Sequence, residues 1–382
     1  MSFPGRKKRP ARVLFAAILF IVFYFLLFPY PLGKELVAHP RWAVAIPAAG
    51  AAAGAAAQAL TATVASVPAP AAPASPAAGP AVSSWQLGDQ FGFVQEDGTL
   101  LYTGRAPYRV ALSSSGFVSY TRLGTDWILQ DRTGRLVAAF TVSGYPLLSP
   151  DGGRVFSVKT DLSGLSELDR GGEVLWDRDF PTLITSISVE QDLALVGLLN
   201  GTLVLLDRSG APVLEHAPGG SRVAVIAGDA ASPDGSRIAA VCGIDPQYLV
   251  VLRRTDTGYQ PESRERLPTA FRREVRMGFS PDSRWVFLEG AHGPGVYDPA
   301  RRSMSWLNLP GPLAAAASAR FGKVAAFASL DPGGVTLALE PPGGIAVGRE
   351  YFSARQVFLG SIGGQLLAGW DGTLARIDVE EL

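Results

Sequence analysis

The chain has 382 residues, enough for two ordinary domains or one large β domain. Only 18% of them are charged, with 43 Gly and 29 Pro, a balance that favours strands and turns over packed helices. Formal net charge is zero but unevenly divided: residues 1–84 hold seven Lys/Arg and one acid, leaving 27 basic and 33 acidic residues beyond them. A mildly acidic domain lacks the concentrated positive charge that a phosphate backbone requires, which argues against nucleic acid as a partner.

At the N-terminus, residues 6–12 are strongly basic, and Val13 to Phe28 form an uncharged apolar run that softens through Leu32. About twenty helical residues, rising ~1.5 Å each, span a bilayer core of roughly 30 Å. Residues 13–32 are therefore expected to form one transmembrane helix, a signal anchor. Basic residues ahead of it would hold tail 1–12 in the cytoplasm and place the remainder outside, in the periplasm. A cleaved signal peptide would need a small-residue site, whereas Pro29-Tyr30-Pro31-Leu32-Gly33-Lys34-Glu35 follows. No cysteine lies at the end of the segment, where a lipid would be attached, which excludes a lipoprotein.

Trp42–Val67 also lacks charge, but its Ala/Gly composition and Pro47 give little drive for insertion as a second span. Residues 33–84 read instead as an Ala/Pro-rich tether. Pro68, Pro70, Pro73, Pro76 and Pro80 recur every few residues and favour extended polyproline conformations.

From residue 85 to 382, short Val/Leu/Ile/Phe runs alternate with Asp-Gly, Asn-Gly and Pro-Asp pairs, the marks of tight turns. Ser149-Pro150-Asp151-Gly152, Ser232-Pro233-Asp234-Gly235 and Ser280-Pro281-Asp282-Ser283 nearly superpose, each leading through an arginine into a strand. Weaker versions start near Ser113, Ser188, Ser318 and Ser361, a spacing near that of a four-stranded propeller blade, about 40–45 residues. Asn200-Gly201 and Asp371-Gly372 mark a second turn, and Asp131, Asp169 and Asp207, each followed three residues later by Gly, a third.

These motifs resemble the WD40-like and PQQ-type (quinoprotein-like) propeller repeats of bacteria, over roughly residues 86–382. The Ser-Pro-Asp-Gly turn is of the first type and Gly171-Gly172-Glu173-Val174-Leu175-Trp176 of the second. The expected fold is an all-β, seven-bladed β-propeller. Phe91–Gln95 and Thr99–Thr103 would complete the last blade; the count becomes eight if residues 86–112 form a blade of their own.

Chemistry-bearing residues are sparse. His39, His216 and His292 have no partner at metal-ligand spacing and read as surface histidines. Cys242, inside Ile238-Ala239-Ala240-Val241-Cys242-Gly243, reads as a small apolar strand residue. The recurrent aspartates sit at turns, where Asp accepts hydrogen bonds from its own following backbone. Some PQQ-type propellers are dehydrogenases, but neither a cofactor-ligand nor a metal-ligand set is found here, so no cofactor and no enzymatic activity are expected.

The longest repeat unit, from Ser232, contains an arginine-rich stretch. Within it Arg264, Arg266, Arg272, Arg273 and Arg276 are the candidate binding residues, because insertions in repeat proteins map to loops that often dock partners. The resemblance implies a scaffold for protein partners in envelope assembly or maintenance. The alternatives are an enzyme or a ligand sensor using the mouth of the channel.

Overall fold

The computed structural model describes residues 36–47, 80–106, 108–190, 192–291, 293–319, 323–340 and 348–381. The basic tail and the apolar run 13–32 lie outside them, as do residues 48–79. No helix among the described residues is long and apolar enough to cross a membrane.

Eight antiparallel sheets follow one another along the chain: residues 82–105, 109–143, 145–179, 184–216, 223–266, 277–306, 313–352, and 357–381 joined by Leu36–Ala45. They are blades one to eight. First strands of neighbouring blades meet around the axis. Fourth strands, such as Val174–Asp179, are largely exposed at the rim.

Strands between them are buried on both faces, which requires unbroken apolar runs rather than alternation. Ala194–Leu198 and Leu203–Leu206 are buried at every position. The core is accordingly a series of layers between blades. Phe156 and Leu165 of blade three pack with Val196 and Leu198 of blade four, and Leu195 and Leu203 of blade four with Ile226 and Ile238 of blade five.

The turn motifs hold as the sequence suggested. In the first-to-second-strand turn, Ser149 Oγ donates to Asp151 Oδ1 (2.6 Å) and accepts from the Arg154 N–H (2.9 Å). Ser232 repeats this with Asp234 and Arg237 (2.7 and 2.9 Å), and Ser280 with Asp282 and Trp285 (2.5 and 2.9 Å). In the first two of these turns the following arginine points inward, whereas Arg284 after the third is exposed. Arg154 forks onto Glu167 (2.9 and 2.6 Å) in a buried pair, and Trp176 Nε1 donates to the same carboxylate. Arg237 forks onto Glu262 in the same way (2.7 and 3.2 Å).

The third-to-fourth-strand turns stitch one blade to the next. Oδ1 of Asp131, Asp169 and Asp207 accepts two backbone N–H bonds each, at 2.7–3.0 Å. The glycine three residues on has φ of +82°, +88° and +76° in turn. Against it rests an aromatic ring from the preceding blade: Tyr102 on Gly134, Phe140 on Gly172, Trp176 on Gly210. A Cβ would stand 2.6 Å from the Tyr102 ring at Gly134 and 2.5 Å from the Trp176 ring at Gly210, so both the conformation and the contact demand glycine there.

Two expectations are corrected. The ring has eight blades, not seven, because Val82–Leu87, Gln90–Gln95 and Leu100–Arg105 form a blade of their own. The last blade is completed instead by Leu36–Ala45, which the sequence reading placed in the tether. This edge strand carries Pro40 and turns Trp42, Val44 and Ile46 toward the core. The Ile46 N–H donates to Gly372 O (2.7 Å), and Trp42 Nε1 donates to Glu96 O in blade one (2.8 Å). Arg376 of blade eight adds a bond to the Glu96 carboxylate (2.7 Å). The chain therefore leaves blade eight at Pro47 and enters blade one at Pro80, with residues 48–79 joining two blades.

Trp42→Ala is expected to cost about 2 kcal/mol and to lower the melting temperature by ~5 °C. Thermal unfolding followed by circular dichroism checks this; an unchanged midpoint would mean that Leu36–Ala45 does not close the ring.

Candidate functional site

The arginine-rich stretch ends the fourth strand of blade five, Gly258–Arg266, and continues through residues 267–276 into the first strand of blade six, Met277–Phe279. Three of its five candidate arginines are occupied. The Arg264 guanidinium lies 3.9 Å from the Tyr248 ring centroid and donates to Gly219 O (2.8 Å). Arg273 forks onto Glu289 (2.9 and 2.7 Å), whose side chain is only 4% exposed. Arg276 donates to Leu313 O and Ala314 O (3.4 and 2.9 Å).

Arg266 and Arg272 differ. Both are exposed, and neither forms an ion pair or side-chain hydrogen bond among the described residues. Both line a groove of about 730 Å³ on the face that carries the second-to-third-strand turns. Its apolar lining includes Pro246, Leu267, Pro268 and Trp306. Trp306 is 39% exposed, and its ring is seated on Gly290 and Gly295, where a Cβ would stand 2.2 and 2.9 Å from it. Asp245, also in the lining, is paired with Arg222 (3.0 Å).

A buried amide sets the shape of this groove. Gln247 is 1% exposed; its Nε2 donates to Gly243 O (3.0 Å) and Phe271 O (3.2 Å), and its Oε1 accepts from the Phe271 N–H (3.1 Å). Its backbone carbonyl accepts from the Leu267 N–H (2.9 Å). One side chain thus ties the 267–276 connection to the Asp245-Pro246-Gln247 turn. Sequence reading missed Gln247 and Trp306. Nothing local distinguishes a buried glutamine from a solvated one in such a turn, whereas a lone tryptophan in an outer strand is a signal that was there to weigh.

Other ionisable groups are accounted for locally. Burial works against the Asp234 charge, but bonds from the Ser236 N–H and the Ser232 hydroxyl outweigh it and hold the carboxyl down at about 2. Burial pushes the Cys242 thiol up to about 12, in keeping with a small strand residue. His39 is exposed and His216 half-buried, while His292 lies outside the described residues. Among the described residues no group of three or more His, Cys, Asp or Glu could hold a metal ion. Three carboxyls are exceptions to local accounting: burial raises Glu190 and Glu340 to about 7, and the third is Asp229. It is buried between blades four and five, takes the Ser186 hydroxyl, has an Oδ1 without a partner, and is pushed by burial to about 7. A separate cavity of about 520 Å³, lined by Met277, Phe279, Leu313 and Leu359, opens among the first strands of blades six to eight, with Arg276 beside it.

The profile of a family described as "beta-propeller protein" matches residues 4–382. The chain belongs to that family. An uncharacterized protein of Treponema pallidum (strain Nichols) is 24% identical over 227 residues, covering 59% of this chain. The chain spans about three fifths (60%) of that relative's length. Among solved structures, BamB from Moraxella catarrhalis superposes with a TM-score of 0.54 at 17% identity, over 78% of this chain and 96% of that one. At that identity the likeness establishes the propeller fold.

Asp229 generates a pH prediction. Its folded value of about 7 exceeds the ordinary 3.8, so the folded state keeps a proton that the unfolded state has lost. The resulting stabilisation is full below pH ~4 and is lost as pH rises through about 7, by roughly 4 kcal/mol in all. Asp229→Asn should match the parent near pH 4 and melt at a higher temperature at pH 8. Parallel melting-temperature profiles from pH 4 to 8 would refute the assignment.

Proposed function

We propose that this protein is a non-catalytic interaction platform, anchored in the cytoplasmic membrane by residues 13–32, with its propeller outside the cytoplasm, where it docks proteins of the cell envelope. The observation that carries the reading is the groove between blades five and six, where Arg266 and Arg272 stand unpaired beside a half-exposed tryptophan. Exposed arginine and tryptophan over a preformed hollow are the residue types that dominate binding energy at protein interfaces. Their setting is notable because the propeller as a whole is mildly acidic. The basic tail and apolar run at the N-terminus support the location, and the propeller fold supplies rigid faces bearing many loops on which partners can dock.

The structure also selects the variant to test. Replacing Arg273 would strand the buried Glu289 carboxylate, and breaking such a pair costs about 3–5 kcal/mol. Arg266 and Arg272 carry no such structural duty. Arg266→Glu with Arg272→Glu in the full-length chain should reduce recovery of crosslinked envelope partners from native membranes at least tenfold, while the melting temperature stays within ~2 °C. Undiminished recovery would remove this groove as the docking site. Protease applied from the cytoplasmic side of inverted vesicles should leave the propeller intact; its cleavage there would refute the location.

A further inference from the structure

We infer that the groove between blades five and six takes an extended, acidic segment of a partner protein, with a large apolar side chain placed between its carboxylates. This rests on the platform reading and adds the chemistry of what is bound. Two features of the groove fix that chemistry. Arg266 and Arg272 both line it without an anionic partner among the described residues, and the one carboxylate in its lining, Asp245, is already paired with Arg222. A fork of N–H donors matches a carboxylate in two parallel bonds, so each unpaired arginine is an acceptor-seeking site of defined geometry.

The same lining carries an apolar part, with Pro246, Leu267 and Trp306. The Trp306 ring is backed by glycine backbone, so it presents one fixed face rather than a mobile side chain. A bare phosphate or a lipid headgroup would leave this surface unused. An aromatic or large aliphatic side chain covers it, and burying such a side chain contributes about 1.5–3 kcal/mol.

The groove is also held open in advance. Leu267 and Phe271 are hydrogen-bonded to Gln247, and the Val275 N–H donates to Ala227 O (2.7 Å), so the connection that carries Arg272 is fixed at three points. A partner segment therefore need not pay to order this side of the interface, which is where short extended peptides otherwise lose affinity.

The test uses the full-length chain with a photoreactive benzoylphenylalanine at Ala270, an exposed residue of the groove wall. Three ten-residue probes are titrated by fluorescence anisotropy: four Glu flanking one Phe, the same with Gln for Glu, and the same with Lys for Glu. The Glu probe is expected to bind at least tenfold tighter than the Gln probe. It should lose that margin in the Arg266→Glu/Arg272→Glu chain, weaken between 50 and 300 mM salt as exposed charge pairs do, and suppress the Ala270 crosslink to envelope protein in membranes. If a crosslink forms and the Glu probe neither binds nor competes, the acidic-segment inference is overturned while the platform reading stands. If inorganic phosphate or anionic vesicles compete as well as the Glu probe, the groove is a plain anion site and the inference is again overturned. If no protein crosslinks at Ala270 and the double variant loses nothing, both readings fall together.

Discussion

The seating of one aromatic ring on the turn glycine of the next blade is the contact on which much of this ring depends. Each of these turns takes a positive φ at its glycine, Gly134, Gly172 or Gly210; at Gly134 and Gly210 the ring also leaves no room for a Cβ, and each turn must be rigid enough to receive a ring. Asp131, Asp169 and Asp207 supply the rigidity by accepting the turn's own N–H groups. Tyr102, Phe140 and Trp176 then fix the spacing of blades one to four at the rim, while apolar layers fix it nearer the axis. Closure comes from the outer strand Leu36–Ala45 and the Trp42–Glu96 contact, which remove the open edge that a linear array of sheets would leave.

The groove is a consequence of that rigidity. A connection between two blades can hold a defined shape only if both blades are themselves fixed. Residues 267–276 are then pinned by Gln247 at one end and by Arg276, bonded to carbonyls at the start of blade seven, at the other. The arginines divide by partner distance. Arg264, Arg273 and Arg276 find an aromatic face, a buried carboxylate and backbone carbonyls within reach, and serve the scaffold. Arg266 and Arg272 line the hollow and are left to bind something else.

Much of the fold was legible in the sequence because its turns are chemical as well as statistical. Ser-Pro-Asp-Gly encodes a specific set of side-chain-to-backbone bonds, so its recurrence marked the same turn in blades three, five and six. The closing strand was not legible. Trp42, Val44 and Ile46 alternate as an edge strand should, but they lie amid Ala and Pro and pair with Thr373–Glu381 at the far end of the chain. Blade one was misassigned for the same reason, since its neighbour blade eight lies at the far end of the sequence. The candidate site was half legible. Composition located the arginines but could not separate those whose partners, such as Glu289 and Tyr248, are brought close only by the fold.

The claim that a closed ring holds the groove ready before any partner arrives is tested most directly by hydrogen exchange on the full-length protein alone. The amides of Leu267, Phe271 and Val275 should exchange slowly, because each donates to a partner within the fold. Those of Leu36–Ala45 that pair with the last blade should be protected with the rest of it. Exchange of residues 267–276 at the rate of an open chain would contradict the account, since the two unpaired arginines would then line no fixed groove.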